Sequence, residues 1–117
     1  MDEFAQYMPD AFRLFGRITL RRMFSGYGIF SDGVMFGLVY DRTLYLKADD
    51  ENLIDFRRQG LKQFEYTRRG KLIGLSYYQA PETVLEDPHE AAQWARRSFE
   101  AAMRADASKS ASKLSTR

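Results

Sequence analysis

The stretch RRMFSGYGIFSDGVMFGLVYDRTLYLK, residues 21–47, constrains the fold of this chain more than any other. Asp32-Gly33 stands between two apolar, aromatic-rich runs, YGIFS and VMFGLVY. Both central residues of a type I′ turn need positive φ, which glycine adopts freely and aspartate tolerates, so this pair predicts a tight hairpin. Asp41-Arg42, between VMFGLVY and TLYLKA, predicts a second two-residue loop of weaker type. From Ile18 onward, Ile18, Leu20 and Arg22 alternate with Thr19, Arg21 and Met23, the period of a strand with one wet face. Together these segments predict a three-stranded antiparallel meander. Its central strand is Val34 to Tyr40, apolar on both faces.

Four of the eight glycines lie in this stretch, which raises the question of a phosphate-binding loop. Such a loop needs Gly-x-x-x-x-Gly-Lys-Ser/Thr between a strand and a helix. Here Gly26-Tyr27-Gly28 leads into more strand and no Lys-Ser or Lys-Thr follows. The dinucleotide fingerprint fails on spacing and on the missing helix. Gly26 and Gly28 are therefore assigned to a bulge or tight bend, with positive φ or an irregular backbone at one or both. Met23, Phe24 and Phe30 are expected to pack nearby.

On either side the pattern changes to helix. Phe4, Met8, Ala11, Phe12 and Phe15 recur at helical spacing over residues 3–15. Pro9 either opens a shorter helix or kinks the longer one, and Gly16 is a plausible stop. Asp49 and Asp50 cap a short helix with Leu53 and Phe56 inward and Gly60 as its left-handed terminator. KQFEYTRRGKLIGLSYYQ reads as a second hairpin turning near Gly70. Asp87 as N-cap, Pro88 at N1 and Glu90 at N3 open a last helix, whose apolar face is Ala91, Ala95, Phe99 and Ala102 with Met103. Beyond Arg104 periodicity stops. The expectation is one domain over residues 1–104 and a basic, disordered tail over 105–117. The order is α-β3-α-β2-α, an α+β fold with a mostly antiparallel five-stranded sheet. Helices on one face would leave Tyr45, Tyr66 and Tyr77 on the other, to be covered by a dimer partner or by the longest helix.

Composition narrows the chemistry. With no cysteine among 117 residues there are no disulfides, thiolate metal sites or cysteine nucleophile. His89, the single histidine, falls at a helix N-terminus and reads as a surface residue. Asp49, Asp50 and Glu51 are accounted for by capping and the helix dipole. Ser76 lies in a strand, not on a nucleophile elbow. The expectation is a protein that is not an enzyme and takes no cofactor or metal. No apolar run approaches a membrane span, and MDEFAQYM lacks the basic start of a signal peptide, so the expected location is the cytoplasm. The net charge of +2 resides in residues 105–117. Residues 1–104 hold fifteen basic and fifteen acidic side chains, which argues against a nucleic-acid protein on bulk charge. Four Arg-Arg pairs nonetheless stand out, at 21–22, 57–58, 68–69 and 96–97. Arg21, Arg22, Arg68 and Arg69, with Lys109, Lys113 and Arg117 of the tail, are the candidate nucleic-acid contacts.

Arg22-Met23-Phe24, Gly26-Tyr27-Gly28, Gly33, the LYLK strand containing Tyr45 and Lys47, Ser76-Tyr77-Tyr78 and Pro81 occur in one order with ordinary gaps. In these motifs the chain resembles the TfoX N-terminal domain family, the amino-terminal half of the TfoX/Sxy regulators of natural competence, over about residues 4–104. The resemblance implies an α+β fold of the secretion-chaperone-like kind. It also implies a role in transcriptional regulation through a protein partner, full-length regulators acting with the cyclic-AMP receptor protein. It supplies no catalytic residues. The family's helical C-terminal domain has no counterpart in these 117 residues, so a stand-alone interaction module, dimeric through its sheet or a helix, is expected. The alternative is direct nucleic-acid binding through the arginine-rich edges and the tail.

Overall fold

The computed structural model describes residues 2–23 and 25–115, with side-chain surroundings through Lys109. Its strands are β1 Thr19–Met23, β2 Gly26–Ser31, β3 Val34–Tyr40, β4 Thr43–Lys47, β5 Gln63–Arg68 and β6 Lys71–Gln79. They form one sheet in the order β1-β2-β3-β4-β6-β5, and every neighbouring pair is antiparallel. The class is α+β as expected, but there are six strands, not five. The extra one comes from the segment read as a single bent strand. The chain reverses between Met23 and Gly26, which pair with each other, and Thr19 lies opposite Phe30. Core-facing residues change phase across this reversal, from Ile18 and Leu20 to Tyr27 and Ile29, but the Phe24-Ser25 sequence between Met23 and Gly26 lacks the Asp-Gly chemistry that marks a tight turn.

The other tight turns follow from local sterics. Asp32 and Gly33 have φ of 49° and 77°, Asp41 and Arg42 have 49° and 55°, and Arg69 and Gly70 have 51° and 77°. All three hairpins thus use two consecutive residues with positive φ, as a turn matched to strand twist requires. Gly26 and Gly28, by contrast, are not among the positive-φ glycines, which corrects the expectation of a special backbone there. A side chain at Gly26 would place Cβ 2.0 Å from the Val39 carbonyl oxygen, and one at Gly28 would meet Met23 Sδ at 2.6 Å and the Phe30 ring at 2.8 Å. They are glycines because neighbouring strands and side chains come too close for anything larger. Met23 and Phe30 do pack there, while Phe24 lies outside the described residues.

Two irregularities bend the sheet. Ile29 faces Gly37 and Phe30 faces Met35, so Phe36 is an extra residue on β3. The bulge turns Phe36 to the same side as Gly37, under the helices, where its ring meets those of Phe12, Phe15 and Phe99. A second register shift falls between Gln63 and Glu65 on the β5–β6 pair.

The helices are α1 Glu3–Gln6, α2 Met8–Ala11, α3 Leu53–Arg58, α4 Thr83–Glu86 and α5 Pro88–Ser115. The amphipathic run over 3–15 is thus two short helices, and Pro9 sits in the first turn of the second, where its missing N–H costs nothing. Asp49 shapes the entry to α3, its Oδ1 accepting from the backbone N–H of Glu51 and Asn52. Gly60, with φ 65°, ends α3. Asp87 caps α5 by accepting from the His89 N–H at 2.9 Å. The last helix buries Ala91, Ala95 and Ala102 as expected, together with Trp94 and Ser98, whereas Met103 is 47% exposed. It continues as helix to Ser115, where an irregular tail after Arg104 is expected from the sequence. On the helical side of the sheet, Phe12, Phe36, Phe56, Leu46 and Trp94 form one core with Tyr27, Ile29, Val39 and Leu44.

Candidate interaction surface

Strand alternation and the registers place a second set of side chains on the face away from this core. On β1–β3 it carries Arg21, Met23, Phe30 and Met35, gathered over Gly28. The Arg21 guanidinium lies 5.2 Å from the centre of the Phe30 ring, a cation–π contact. On β3–β6 it carries Leu38, Tyr40, Tyr45, Phe64, Tyr66 and Tyr77. Of the three tyrosines predicted for an uncovered face, Tyr45, Tyr66 and Tyr77, all lie here.

Phe64 organises this face. Its ring lies 4.9 Å from that of Tyr45, 5.3 Å from that of Tyr40 and 6.1 Å from that of Tyr66. Tyr40 belongs to a strand three places away in the sheet order, a separation of roughly 14 Å if the sheet were flat. The sheet is therefore curled, and this face is its concave side. Curling buries Leu38 completely and leaves Phe64 2% exposed, although neither belongs to the core beneath the helices. An open cleft of about 530 Å³ remains between Ser25 of the β1–β2 turn and Phe64, Tyr66 and Leu72. Leu72 is 67% exposed.

At the other end of β4, Lys47 Nζ donates to Ser76 Oγ at 2.5 Å and lies 5.3 Å from the Tyr77 ring centre. Burial lowers the Lys47 pKa, reinforced by Lys109 on α5. Burial also pushes Tyr77 up to about 12, with Asp106 adding to the effect. Tyr77 thus stays neutral and donates to the Met35 carbonyl at 3.4 Å. Tyr45 is likewise raised, chiefly by burial.

Charge is divided between the layers. Residues 19–47 and 63–79, which hold the sheet and its hairpins, carry seven basic side chains against three acidic ones, a net of +4. The rest of the chain carries eleven basic and thirteen acidic, a net of −2. The ion pairs lie on the helical side: Arg13 with Asp10, Arg97 with Asp55, and Arg104 with Asp49 and Glu51. Among the described residues, none of the seven sheet cations is in an ion pair.

The motif residues thus separate by role. Tyr27 and Pro81 are buried and the Tyr78 ring lies 5.6 Å from that of Phe56, tilted against it, on the helical side. Gly33 serves a turn, and Gly26 and Gly28 make room for close neighbours. Met23, Tyr45, Lys47 and Tyr77 line the concave face, with Ser76 at its margin. Arg21 and Arg22 are exposed on edge strand β1, and Arg68 and Arg69 at the far end of edge strand β5. Lys109 is exposed on α5. The side chain of Lys113 and all of Arg117 lie outside the described residues. The sequence reading missed Phe64 and Tyr40. Phe64, Tyr66 and Arg68 recur at period two, which was the available signal for one shared face. Among the described residues no cluster of acids, histidine and cysteine could hold a metal ion, and no helix is long and apolar enough to cross a membrane.

Comparison with known proteins agrees with the motif order. Over 73 residues the chain is 30% identical to the DNA transformation protein TfoX1 of Aliivibrio fischeri (strain ATCC 700601 / ES114). The match covers 62% of this chain and 35% of that protein, so the chain spans little more than a third of the length of this relative. The sequence profile of the TfoX N-terminal domain matches residues 10–102, from α2 to the middle of α5, and the chain belongs to the TfoX N-terminal domain family.

Proposed function

We propose that this chain is a non-enzymatic regulatory module of the competence type, which works by binding a partner on its concave sheet face. The observation that carries this reading is the face itself. It is aromatic, curled around Phe64 and bordered by cations that form no ion pair among the described residues, while the opposite face is filled by helices. A solvent-facing aromatic surface of this kind is typical of a binding site. By family resemblance the partner is a protein of the transcription machinery, encountered in the cytoplasm, with the module itself dimeric. The test is disruption of the gene in the cell that encodes it, followed by transcript profiling and complementation with the wild type and with Tyr45→Leu. Altered competence transcripts, restored by wild type and not by the variant, are expected. An unchanged profile sinks the proposal. Sedimentation velocity at micromolar concentration checks the dimer, and a single monomeric boundary rejects it.

Direct nucleic-acid binding is the second reading, and the charge division favours it. Bulk neutrality speaks against such binding only while the charges are mixed. Here the sheet and its hairpins carry net +4 and the rest of the sequence net −2, and a basic, aromatic sheet is the kind of surface that nucleic acids use.

A further inference from the structure

We infer that the concave face binds single-stranded DNA, with bases stacked on Tyr45 and Tyr66 and phosphates held by the cations beside them. This rests on the nucleic-acid reading above and names the strand state and the residues.

The pattern within the strands carries it. Tyr45-Leu46-Lys47 on β4 and Tyr66-Thr67-Arg68 on β5 each place a ring and a cation two residues apart. A strand advances about 3.3 Å per residue and alternates faces, so each pair shares the concave side at a separation of roughly 6.6 Å. That is the arrangement of a base and its own backbone phosphate. The two pairs flank Phe64, whose ring meets both tyrosines. Arg69 and Lys71 extend the positive charge around the β5–β6 turn, and Arg21 does so on the opposite edge.

Strand state follows from the rings. A duplex hides the faces of its bases and offers phosphates alone, which would leave the aromatic floor unused. A single strand offers both a charged backbone and free π-faces, and stacking of this kind tolerates any base. Acidic peptides would match the cations but supply no repeating flat group for the rings. Deoxyribose suits the surface because Phe64, whose ring meets both tyrosines, is hydrocarbon and offers no partner to a 2′-hydroxyl.

The experiment is fluorescence anisotropy of a labelled oligothymidylate with the full chain, from about 50 to 200 mM salt. With three phosphates engaged, log affinity is expected to fall by about 2 per log unit of salt, at ~0.7 per phosphate for a single strand. Tyr45→Leu and Tyr66→Leu keep apolar bulk beside Phe64 and are expected to weaken binding at least ~5-fold each by loss of stacking. The exposed pair Arg68→Gln with Arg69→Asn is expected to flatten the salt slope by about 1 to 1.5, with the melting temperature unchanged as the folding control. Neutralising Lys109, Lys113 and Arg117 together is expected to leave more than half of the binding free energy. Duplex of the same length binding as tightly as the single strand, with the steep slope retained, overturns the single-strand inference and keeps the nucleic-acid reading. Binding of neither overturns both. Displacement by polyglutamate at equal charge, loss of binding on neutralising the tail, or tighter binding of oligouridylate each overturns the inference as well.

Discussion

Gly26 and Gly28 look alike in the sequence, two glycines around one tyrosine, yet they answer to different neighbours. Gly26 faces a backbone carbonyl, that of Val39, which belongs to a strand in the sheet and cannot move aside. Gly28 faces Met23 Sδ, the Phe30 ring and Met35 Sδ, the ends of side chains that can rotate. Gly26→Ala is therefore expected to cost about 3 kcal/mol or more, as an overpacked site does, and Gly28→Ala about 1 kcal/mol. Urea denaturation of the two variants checks the order, and equal losses would refute the contact-based account. Ser98 shows the opposite mismatch. It is fully buried on α5, and its hydroxyl has no hydrogen-bond partner among the described residues. An unsatisfied buried hydroxyl opposes folding, so Ser98→Ala is expected to raise stability by about 1 kcal/mol. A clear loss in the same assay would show that the hydroxyl is engaged.

At the scale of elements, α5 is held to the sheet by alanines that let it approach and by one ionic clasp. Arg104 donates Nε to Asp49 Oδ2 at 2.6 Å and a terminal nitrogen to Asp49 Oδ1 at 3.0 Å, with Glu51 at 3.0 Å. Such paired, charge-assisted hydrogen bonds resist the screening that empties most surface ion pairs. They join the middle of α5 to the turn between β4 and α3. The Arg104 hydrogen bonds, more than its charge at a distance, hold Asp49 below the usual carboxylate range. Because the folded-state pKa lies below the unfolded one, the contribution is complete above the unfolded value. It is lost as pH falls through the folded value. Arg104→Ala is expected to cost about 1 kcal/mol at neutral pH, after allowance for partial exposure. Its difference from wild type should shrink below about pH 4. Thermal melts at pH 7, 4 and 2.5 measure it, and a difference constant with pH would exclude the clasp as its source.

Across the whole molecule, the sheet serves two layers of different chemistry. One face is sealed by helices over a core that includes Phe12, Phe36, Phe56 and Trp94. The other curls on itself and makes a smaller apolar centre from Leu38 and Phe64, walled by tyrosines. Phe64 lies on an edge strand, outside the core beneath the helices, yet it is as buried as a core residue. Phe64→Ala is expected to cost about 3 to 5 kcal/mol, as for a phenylalanine in a core. It should also increase quenching of tyrosine fluorescence by iodide as the curl relaxes. A loss below about 1 kcal/mol would mean that the concave side is held open without it.

The sequence by itself determined what depends on near neighbours. The hairpins at Asp32-Gly33 and Gly70, the stop at Gly60 and the Asp87-Pro88 start of α5 are set by the sterics and hydrogen bonds of two or three adjacent residues, so they could be read directly. The candidate face was legible in part, because Tyr45, Tyr66 and Tyr77 follow strand alternation. The tertiary structure decided the rest. That β1 and β2 are separate strands depends on cross-strand pairing of Met23 with Gly26, and Phe24-Ser25 between them carries no turn signature. That β4 lies beside β6, across α3 and β5 in the chain, is a long-range register, and from it come the curl and the burial of Phe64, while Gly26 cannot be alanine because β3 brings the Val39 carbonyl against it. The charge division has the same origin. Basic and acidic residues are equal in number over residues 1–104, and only the folding of strands into one layer and helices into another sets the basic segments apart in space.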